Sequence, residues 1–288
     1  MLYKNHRYLA LGPAEGESEM SSTIGFIGVG NMGGALARAA CRWNAQQVVI
    51  TSRSLQKVQE LKDQLGCRMA QDNQALAAGA KFIVLGVKPH QMGQLLQELA
   101  PVLKQRRDRY ILVSMAAGVT LATLASQLGM EAPILRIMPN TPSSIGKGMI
   151  LYTPNQLVQP EEVEEFCQIM ATAGRLDALE ESQMDAASAL AGCGPAFAYL
   201  FLEALADGAV ACGLPRAKAM EYAAQTLAGA ADMVLESGSH PGQLKDAVCS
   251  PGGSTIQGVR ALEERGMRAA AMNAVIASYE KNKELGKQ

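Results

Sequence analysis

The sequence predicts an α/β protein with a doubly wound, mostly parallel sheet, followed by an all-helical second half. Short apolar, β-rich runs alternate with helical segments from Ile24 to about Leu179. The runs are apolar throughout, which is typical of strands covered on both faces by helices. After about Glu181 the strand signals stop and only helical patterns follow. We therefore expect two folding units of different class in one chain.

The first of these units begins with a strand, a glycine-rich turn and a helix. Ile24–Ile27 is an apolar strand, and Gly28-Val29-Gly30-Asn31-Met32-Gly33 fits the pattern G-x-G-x-x-G. In a dinucleotide-binding turn the first glycine allows the tight turn, the second lets a pyrophosphate approach the backbone, and the third allows close helix–strand packing. The phosphates then lie at the helix N-terminus. This order of elements predicts a Rossmann-type domain.

Further strands and helices follow in alternation. Ser54 is the expected N-cap of the second helix. The predicted strands are Gln47–Thr51, Phe82–Leu85, Tyr110–Ser114, Ile134–Met138, Gly148–Tyr152 and Arg175–Leu179; the predicted helices are Leu55–Leu65, Gln94–Leu103, Leu121–Leu128 and Glu161–Ala173.

The end of the second strand indicates which cofactor is preferred. An acidic residue about 20 residues after the glycines binds the ribose hydroxyl of NAD in such domains. Here Ser52 and Arg53 occupy that place and no carboxylate is present. A hydroxyl and a guanidinium suit a 2′-phosphate, so we expect NADPH, with NADH as a possible second cofactor. The alternative is that Arg53 is a solvated surface residue.

Ligands of doubly wound sheets bind at the carboxyl ends of the strands. Three predicted loops lie there: Gly86-Val87-Lys88-Pro89, Ser114-Met115-Ala116-Ala117-Gly118 and Met138–Pro142. Lys88 is either a cofactor contact or an ordinary surface lysine. Small side chains at Ala116 and Ala117 allow a flat ring to approach closely.

The composition argues against nucleic-acid and membrane partners. The chain of 288 residues has a net charge of -1, so it lacks the basic footprint of a nucleic-acid-binding protein. We find no uninterrupted apolar run of the ~20 residues that a membrane span needs. The six cysteines form no C-x-x-C pair and the three histidines are scattered. We therefore expect reduced thiols, no metal site and a cytoplasmic location.

The second half contains a helix that is apolar on nearly every face, Ala196–Cys212. Such a helix must be buried. Because this half is only about 100 residues long, we expect it to pack against a second copy, giving a homodimer.

A turn near the C-terminus predicts a small anion site. Ser250-Pro-Gly-Gly ends one helix, and Ser254 and Thr255 begin the next. The N–H groups of Gly253, Ser254 and Thr255 are expected to point toward a substrate carboxylate. Taken alone, the segment is more typical of an ordinary capped helix than of an anion site.

The predicted domains follow from these patterns. Residues 1–22 are polar and acidic without an apolar signal-peptide core, so we expect a disordered extension; Met20 is an alternative natural start. Residues 23–181 are expected to form the Rossmann dinucleotide-binding domain. Residues 182–288 are expected to form an all-helical domain for dimerisation and substrate binding.

Taken together, these motifs resemble the pyrroline-5-carboxylate reductase family over about residues 23–287. Ser250–Thr255 is the most specific match, since few other Rossmann enzymes have it. The other matches are Gly25–Gly33, Val87–His90, Ala116–Val119, Asn140–Pro142, Leu190–Ala196, Glu203–Gly208, Gly213–Pro215 and His240–Asp246.

The resemblance implies reduction of 1-pyrroline-5-carboxylate to L-proline, the last step of proline synthesis. It implies that Thr255 contacts the ring nitrogen, that the Ser254 and Thr255 amides hold the carboxylate, and that Glu181 lies near the substrate. It also implies an interlocked homodimer with a site shared between subunits, and often a pentamer of dimers. Ala247 stands where some relatives have a cofactor-contacting asparagine, which puts that contact in doubt. The implied cofactor contacts are Asn73, Ser52, Arg53, Gly86–Pro89 and Met115–Ala117.

Two other functions are compatible with a Rossmann domain. A β-hydroxyacid dehydrogenase needs a proton carrier, commonly a lysine on the buried helix, and Ala198–Cys212 contains no lysine. A non-catalytic dinucleotide sensor needs no substrate site, so Ser250–Thr255 counts against it.

Overall fold

The computed structural model describes residues 23–285. The extension predicted over residues 1–22 lies outside the described residues, as do the last three residues. Within the described part, the predicted fold class is confirmed: a Rossmann-type sheet is followed by helices only.

In the part of the chain that the structure describes, the sheet has eight strands in the order β3-β2-β1-β4-β5-β6-β7-β8. All neighbours are parallel except β6 and β7, which are antiparallel. The chain order reverses between β1 and β4, which makes this the topological switch point where doubly wound sheets bind ligands. The strands are β1 (Ile24–Ile27), β2 (Val48–Thr51), β3 (Arg68–Met69), β4 (Phe82–Leu85), β5 (Ile111–Ser114), β6 (Ile134–Met138), β7 (Gly148–Pro154) and β8 (Gly174–Ala178).

Between residues 23 and 285, six α-helices accompany the sheet and six follow it. The first six are α1 (Asn31–Asn44), α2 (Leu55–Leu65), α3 (Asn73–Gly79), α4 (Met92–Gln105), α5 (Leu121–Leu128) and α6 (Pro160–Met170). The others are α7 (Met184–Ala191), α8 (Gly194–Ala211), α9 (Arg216–Ser237), α10 (Pro241–Ala247), α11 (Ser254–Glu264) and α12 (Met267–Leu285).

Both faces of the sheet are buried, which explains the continuous apolar strands. One core contains Phe26, Leu36 and Phe166 between the sheet and helices α1, α2 and α6. The other contains Ile83 and Leu96 between the sheet and helices α3, α4 and α5. Alternate residues of β1, β2, β4 and β5 enter opposite cores, so neither face of these strands tolerates polar residues without a partner.

Local capping differs from expectation in places. Ser54 is the N-cap residue of α2, as predicted, although its side chain makes no capping hydrogen bond. The pattern also missed β3, which is only two residues long, and α3, which Asp72 caps by accepting from the Ala75 N–H at 2.7 Å.

The helical half leaves much apolar surface uncovered in a single chain. In α8 only Ala206 is buried, whereas Tyr199 and Leu200 are 59% and 70% exposed. A groove of about 440 Å³ opens here. The helical stretch Glu181–Ala211 is long and apolar enough to span a membrane by length and composition. It is, however, two helices that meet at Gly192–Cys193, and it contains four carboxylates.

Candidate active site

The glycine-rich turn connects β1 to α1 at the switch point. Gly28 has a φ of +93°, and a Cβ at Gly33 would lie 2.1 Å from the Gly28 carbonyl oxygen. The predicted reasons for glycine at these two positions, a tight turn and close helix–strand packing, are therefore confirmed. A Cβ at Gly30 would meet no described atom within 4 Å. Open space thus faces the backbone where a pyrophosphate is expected.

The first turn of α1 adds an electrostatic reason for anion binding. Gly30 is the N-cap, no side chain caps the helix, and the first turn contains no acidic residue. The Gly34 N–H donates to the Gly30 carbonyl oxygen at 2.7 Å. The N–H groups of Asn31, Met32 and Gly33 precede the first such bond, and the helix dipole favours negative charge there. Open space and unpaired donors fit the diphosphate of a dinucleotide.

A cavity of about 360 Å³ opens beside this turn, between α1 and α2. Arg38 and Lys57 give it positive charge, and Arg38 donates to the Gln64 side chain at 2.9 Å. Neither cation was named from the sequence. The available signal was the position of Lys57, which lies in the first turn of α2, directly after β2 and Arg53. The lining is Val29, Gly30, Asn31, Gly34, Ala35, Arg38, Lys57, Glu60, Leu61, Gln64 and Ser144.

Ser52 and Arg53 follow β2 at the carboxyl edge of the sheet, and Arg53 is exposed. With its amide oxygen turned toward Arg53, Gln91 accepts from Nη2 at 3.1 Å and from Nη1 at 3.3 Å. Since Gln91 lies just after β4, this contact places Arg53 across the switch point. The partner of its guanidinium here is a neutral amide, and binding of a cofactor phosphate by Arg53 stays a prediction.

The loop after β4 lies directly against the glycine turn. The Gly86 N–H donates to the Ile27 carbonyl oxygen at 2.7 Å, and a Cβ at Gly86 would lie 2.3 Å from the Gly28 carbonyl oxygen. Val87 is half-buried, whereas Lys88 and Pro89 are exposed, with Lys88 capping a short 3-10 helix over Pro89–Gln91. This loop therefore lies at the carboxyl edge of the sheet, as predicted, and contacts the glycine turn.

The loop after β5 is more enclosed. Ala116 is buried, and its N–H donates to the Ser114 hydroxyl at 3.4 Å, while Met115 and Ala117 are half-buried. The structure places these small side chains at the end of β5, next to β4; that a flat ring lies against them stays a prediction.

Asn73 is the first residue of α3, and its amide donates to the Glu98 carboxylate at 3.1 Å. The structure therefore gives this predicted cofactor contact a partner within the protein.

Glu181 belongs to a charged cluster that sequence reasoning missed. Arg136, in the middle of β6, is only 2% exposed, and its Nη1 donates to Glu181 Oε1 at 3.0 Å. Its Nη2 contacts Asp185 Oδ1 at 3.4 Å. Glu181 Oε1 also accepts from the Leu121 N–H at 2.7 Å. The available signal was a charged residue within an otherwise apolar strand, because a buried arginine needs carboxylate partners.

The predicted anion site at α11 is partly corrected. The Gly253 N–H donates to the Ser250 carbonyl oxygen at 3.0 Å, so the expectation that it points toward a ligand is wrong. Gly253 is the N-cap, and no side chain caps the helix. The N–H groups of Ser254 and Thr255 lie in the exposed first turn of α11. N–H groups in the first turn of a helix have no carbonyl partner within that helix. Ala247 is the exposed last residue of α10.

One chain does not assemble all the predicted site residues. The four loops at the switch point lie together, whereas α11 packs mainly on α12 and no described element of the sheet domain packs closely on it. The described residues 23–285 also contain no group of three metal-ligating side chains.

Comparison with known proteins agrees with this division. A family model for pyrroline-5-carboxylate reductase dimerisation matches residues 181–285, and a model for coenzyme F420-dependent NADP oxidoreductases matches residues 23–118. The dimerisation model covers α8, whose apolar face is exposed in the single chain. A pyrroline-5-carboxylate reductase of Escherichia coli is 43% identical over 93% of this chain and 100% of its own length.

Solved structures give the same result. A pyrroline carboxylate reductase of Plasmodium falciparum with NADP bound has a TM-score of 0.83 and 34% identity, covering 92% of this chain and 98% of its own. A pyrroline-5-carboxylate reductase of Coxiella burnetii has a TM-score of 0.84 and 35% identity, covering 93% and 100%. The chain therefore belongs to the pyrroline-5-carboxylate reductase family, and it reduces 1-pyrroline-5-carboxylate to L-proline with a nicotinamide dinucleotide.

Proposed function

We propose that NADPH is the preferred cofactor and that Arg53 is the main contact of its 2′-phosphate. No acidic residue stands at the ribose position, and the Arg53 guanidinium pairs with the neutral amide of Gln91 rather than with a carboxylate. Lys57, one turn into α2, adds a second cation near the glycine turn. The NADP bound to the related Plasmodium falciparum enzyme supports this choice. NADH remains an alternative substrate of lower affinity.

The glycine turn and its neighbouring loops hold the cofactor in this proposal. The N–H groups of Asn31, Met32 and Gly33 bind the diphosphate, and the open space at Gly30 lets it approach. Asn73 and the loop Gly86-Val87-Lys88-Pro89 provide further cofactor contacts. When bound, the reduced nicotinamide supplies the hydride. Met115, Ala116 and Ala117 line its ring and exclude water from one face.

The helical half orients the substrate. The N–H groups of Ser254 and Thr255 bind the substrate carboxylate at the N-terminus of α11. The Thr255 hydroxyl oxygen accepts from the protonated ring nitrogen, which fixes the face of the ring that is reduced. Because a protonated imine is already a good hydride acceptor, the protein provides position and electrostatics and needs no strong acid. Glu181 lies near the substrate and adds negative charge there.

The site is completed by the partner subunit. The single observation that supports the proposal is the separation of the two halves: Thr255 stands on an exposed helix end that does not pack on its own sheet domain. The exposed groove on α8 offers the surface for the second copy. We further propose that the protein is cytoplasmic and that five dimers associate into a decamer.

Substitution of Thr255 tests this arrangement. A hydrogen bond to a charged partner contributes about 1.5–3 kcal/mol, so Thr255→Ala should lower kcat/KM for pyrroline-5-carboxylate by roughly tenfold to a hundredfold. Thr255→Ser keeps the hydroxyl and should retain most activity. The Kd for NADPH should barely change in either variant. A folded Thr255→Ala protein with full activity would remove Thr255 from the mechanism.

A further inference from the structure

The buried guanidinium of Arg136 occupies a position from which it can control the loop at residues 115–120. Arg136 pairs in register with Ser114, the last residue of β5 and the residue immediately before that loop. Its side chain is only 2% exposed, and its Nε has no partner among the described residues. A charge held this deeply is fixed in place by its two carboxylate partners, because losing either leaves it uncompensated.

The far end of the same loop is held by one of those partners. Leu121 is the first residue of α5, and its N–H donates to Glu181 Oε1 at 2.7 Å. The same oxygen accepts from Arg136 Nη1 at 3.0 Å. Residues 115–120 therefore run between two anchors, the end of β5 and the start of α5, and the Arg136–Glu181 pair connects both.

The second partner connects the cluster to the helical half. Arg136 Nη2 lies 3.4 Å from Asp185 Oδ1 near the start of α7. The Asp185 carbonyl oxygen accepts from the Asn282 side chain of α12 at 3.2 Å. The guanidinium thus joins a central strand, the loop beside the switch point and the first helix of the second half.

We propose that Arg136 is a positioning residue for hydride transfer: it fixes Glu181 and, through it, the loop 115–120 against which the nicotinamide ring lies. The inference rests on the proposed placement of that ring. Arg136 contacts neither substrate nor cofactor. A displacement of the ring by a fraction of an ångström slows transfer strongly, because the reacting atoms must be held at close range. The diphosphate and 2′-phosphate contacts lie elsewhere and are independent of Arg136.

The test compares Arg136→Met and Arg136→Lys in the purified full-length protein. Arg136→Met should lower kcat by at least about tenfold and leave the Kd for NADPH within about threefold, because only positioning is lost. Arg136→Lys keeps the charge and should recover part of kcat. Hydrogen exchange at the Leu121 amide should become faster in Arg136→Met, a readout that does not depend on activity.

Ile137→Val is the matched control, since Ile137 is fully buried in the same strand but faces the opposite core. It should lower the Tm and leave kcat and Leu121 exchange unchanged. If Arg136→Met fails to fold, Arg136→Lys provides the comparison, with a partial loss of kcat and faster Leu121 exchange expected. If the folded Arg136 variants keep the wild-type kcat and Leu121 exchange rate, the proposal is overturned. It is also overturned if Ile137→Val changes kcat and Leu121 exchange as much as Arg136→Met does. If the wild-type protein has no activity on pyrroline-5-carboxylate, the proposed function is contradicted instead. The exchange rate of the Leu121 amide would still show whether the Arg136–Glu181 pair holds the start of α5.

Discussion

Substitution of Gly30 by alanine should separate cofactor binding from folding. The Gly30 backbone has φ -68° and ψ -162°, an extended conformation that alanine adopts, and a Cβ there would meet no described atom within 4 Å. We therefore expect the free energy of unfolding to change by less than about 1 kcal/mol. Alanine is a poorer N-cap than glycine, which destabilises the fold, but it also reduces the conformational entropy of the unfolded chain, which stabilises it. The new methyl group projects into the space proposed for the diphosphate.

The expected binding loss follows from the contacts that the methyl group displaces. Holding the diphosphate away from the first turn of α1 removes at least one charge-assisted hydrogen bond, worth about 1.5–3 kcal/mol. The Kd for NADPH should therefore rise by roughly tenfold to a hundredfold. The assay is titration of NADPH fluorescence on the purified variant, with the Tm measured in parallel.

Substitutions of two other glycines serve as comparisons for Gly30→Ala. Gly79→Ala is the matched control: Gly79 is exposed at the end of α3, also has open space around it, and lies away from the switch point. It should change neither quantity appreciably. Gly33→Ala places a Cβ 2.1 Å from a backbone oxygen, so it should cost about 1–3 kcal/mol of stability as an overpacked contact. An unchanged Kd in a folded Gly30→Ala protein would refute the placement of the diphosphate.

The remaining predictions concern the cofactor phosphate, the dimer and acid stability. Arg53→Ala should raise KM for NADPH much more than for NADH; equal increases would show that Arg53 does not read the 2′-phosphate. Leu200→Glu should convert the dimer to a monomer in sedimentation experiments, because Leu200 is exposed on α8 in the single chain; an intact dimer would remove this face from the interface. Hydrogen bonds from Arg109 hold the pKa of Glu162 below its ordinary value. This pair therefore stabilises the fold above the unfolded pKa and loses its effect as pH falls through the folded pKa. Glu162→Gln should lower the Tm near neutral pH and have little effect in strong acid; equal losses at both would show that the contribution is not ionic.

The sheet was predictable because its signals are local. A continuous apolar run such as Phe82–Leu85 predicts a strand buried on both faces, and the structure has one there. The spacing of Gly28, Gly30 and Gly33 predicts a tight turn between a strand and a helix, which the structure also has. By contrast, β3 consists of only Arg68 and Met69, both exposed. Two exposed residues give no hydrophobic pattern, so this strand could not be recognised.

The site was only partly predictable because hydrogen-bond partners depend on tertiary geometry. The turn at Gly253 was recognised from the sequence. The hydrogen bond from the Gly253 N–H to the Ser250 carbonyl oxygen was not. Glu181 was named only through the family resemblance, and its partners Arg136 and Leu121 come from distant parts of the chain. A pattern within one segment cannot show which distant groups will meet.

The Ala196–Cys212 prediction shows how a pattern can point beyond one chain. The sequence required burial of this helix, yet Tyr199 and Leu200 are exposed in the single chain. The two statements agree once a second copy covers the surface, which the dimerisation-family match supports. The expected absence of an apolar run also needs qualification, since Glu181–Ala211 meets the length and composition of a span.

The most direct test of the account is the reaction itself, measured on the purified wild-type protein. With 1-pyrroline-5-carboxylate and NADPH, the loss of reduced-nicotinamide absorbance should match the formation of L-proline mole for mole. No oxidation should occur when the substrate is left out, and NADH should support a slower reaction at the same concentration. Oxidation of NADPH without formation of proline, or no oxidation at all by a folded dimer, would contradict the account.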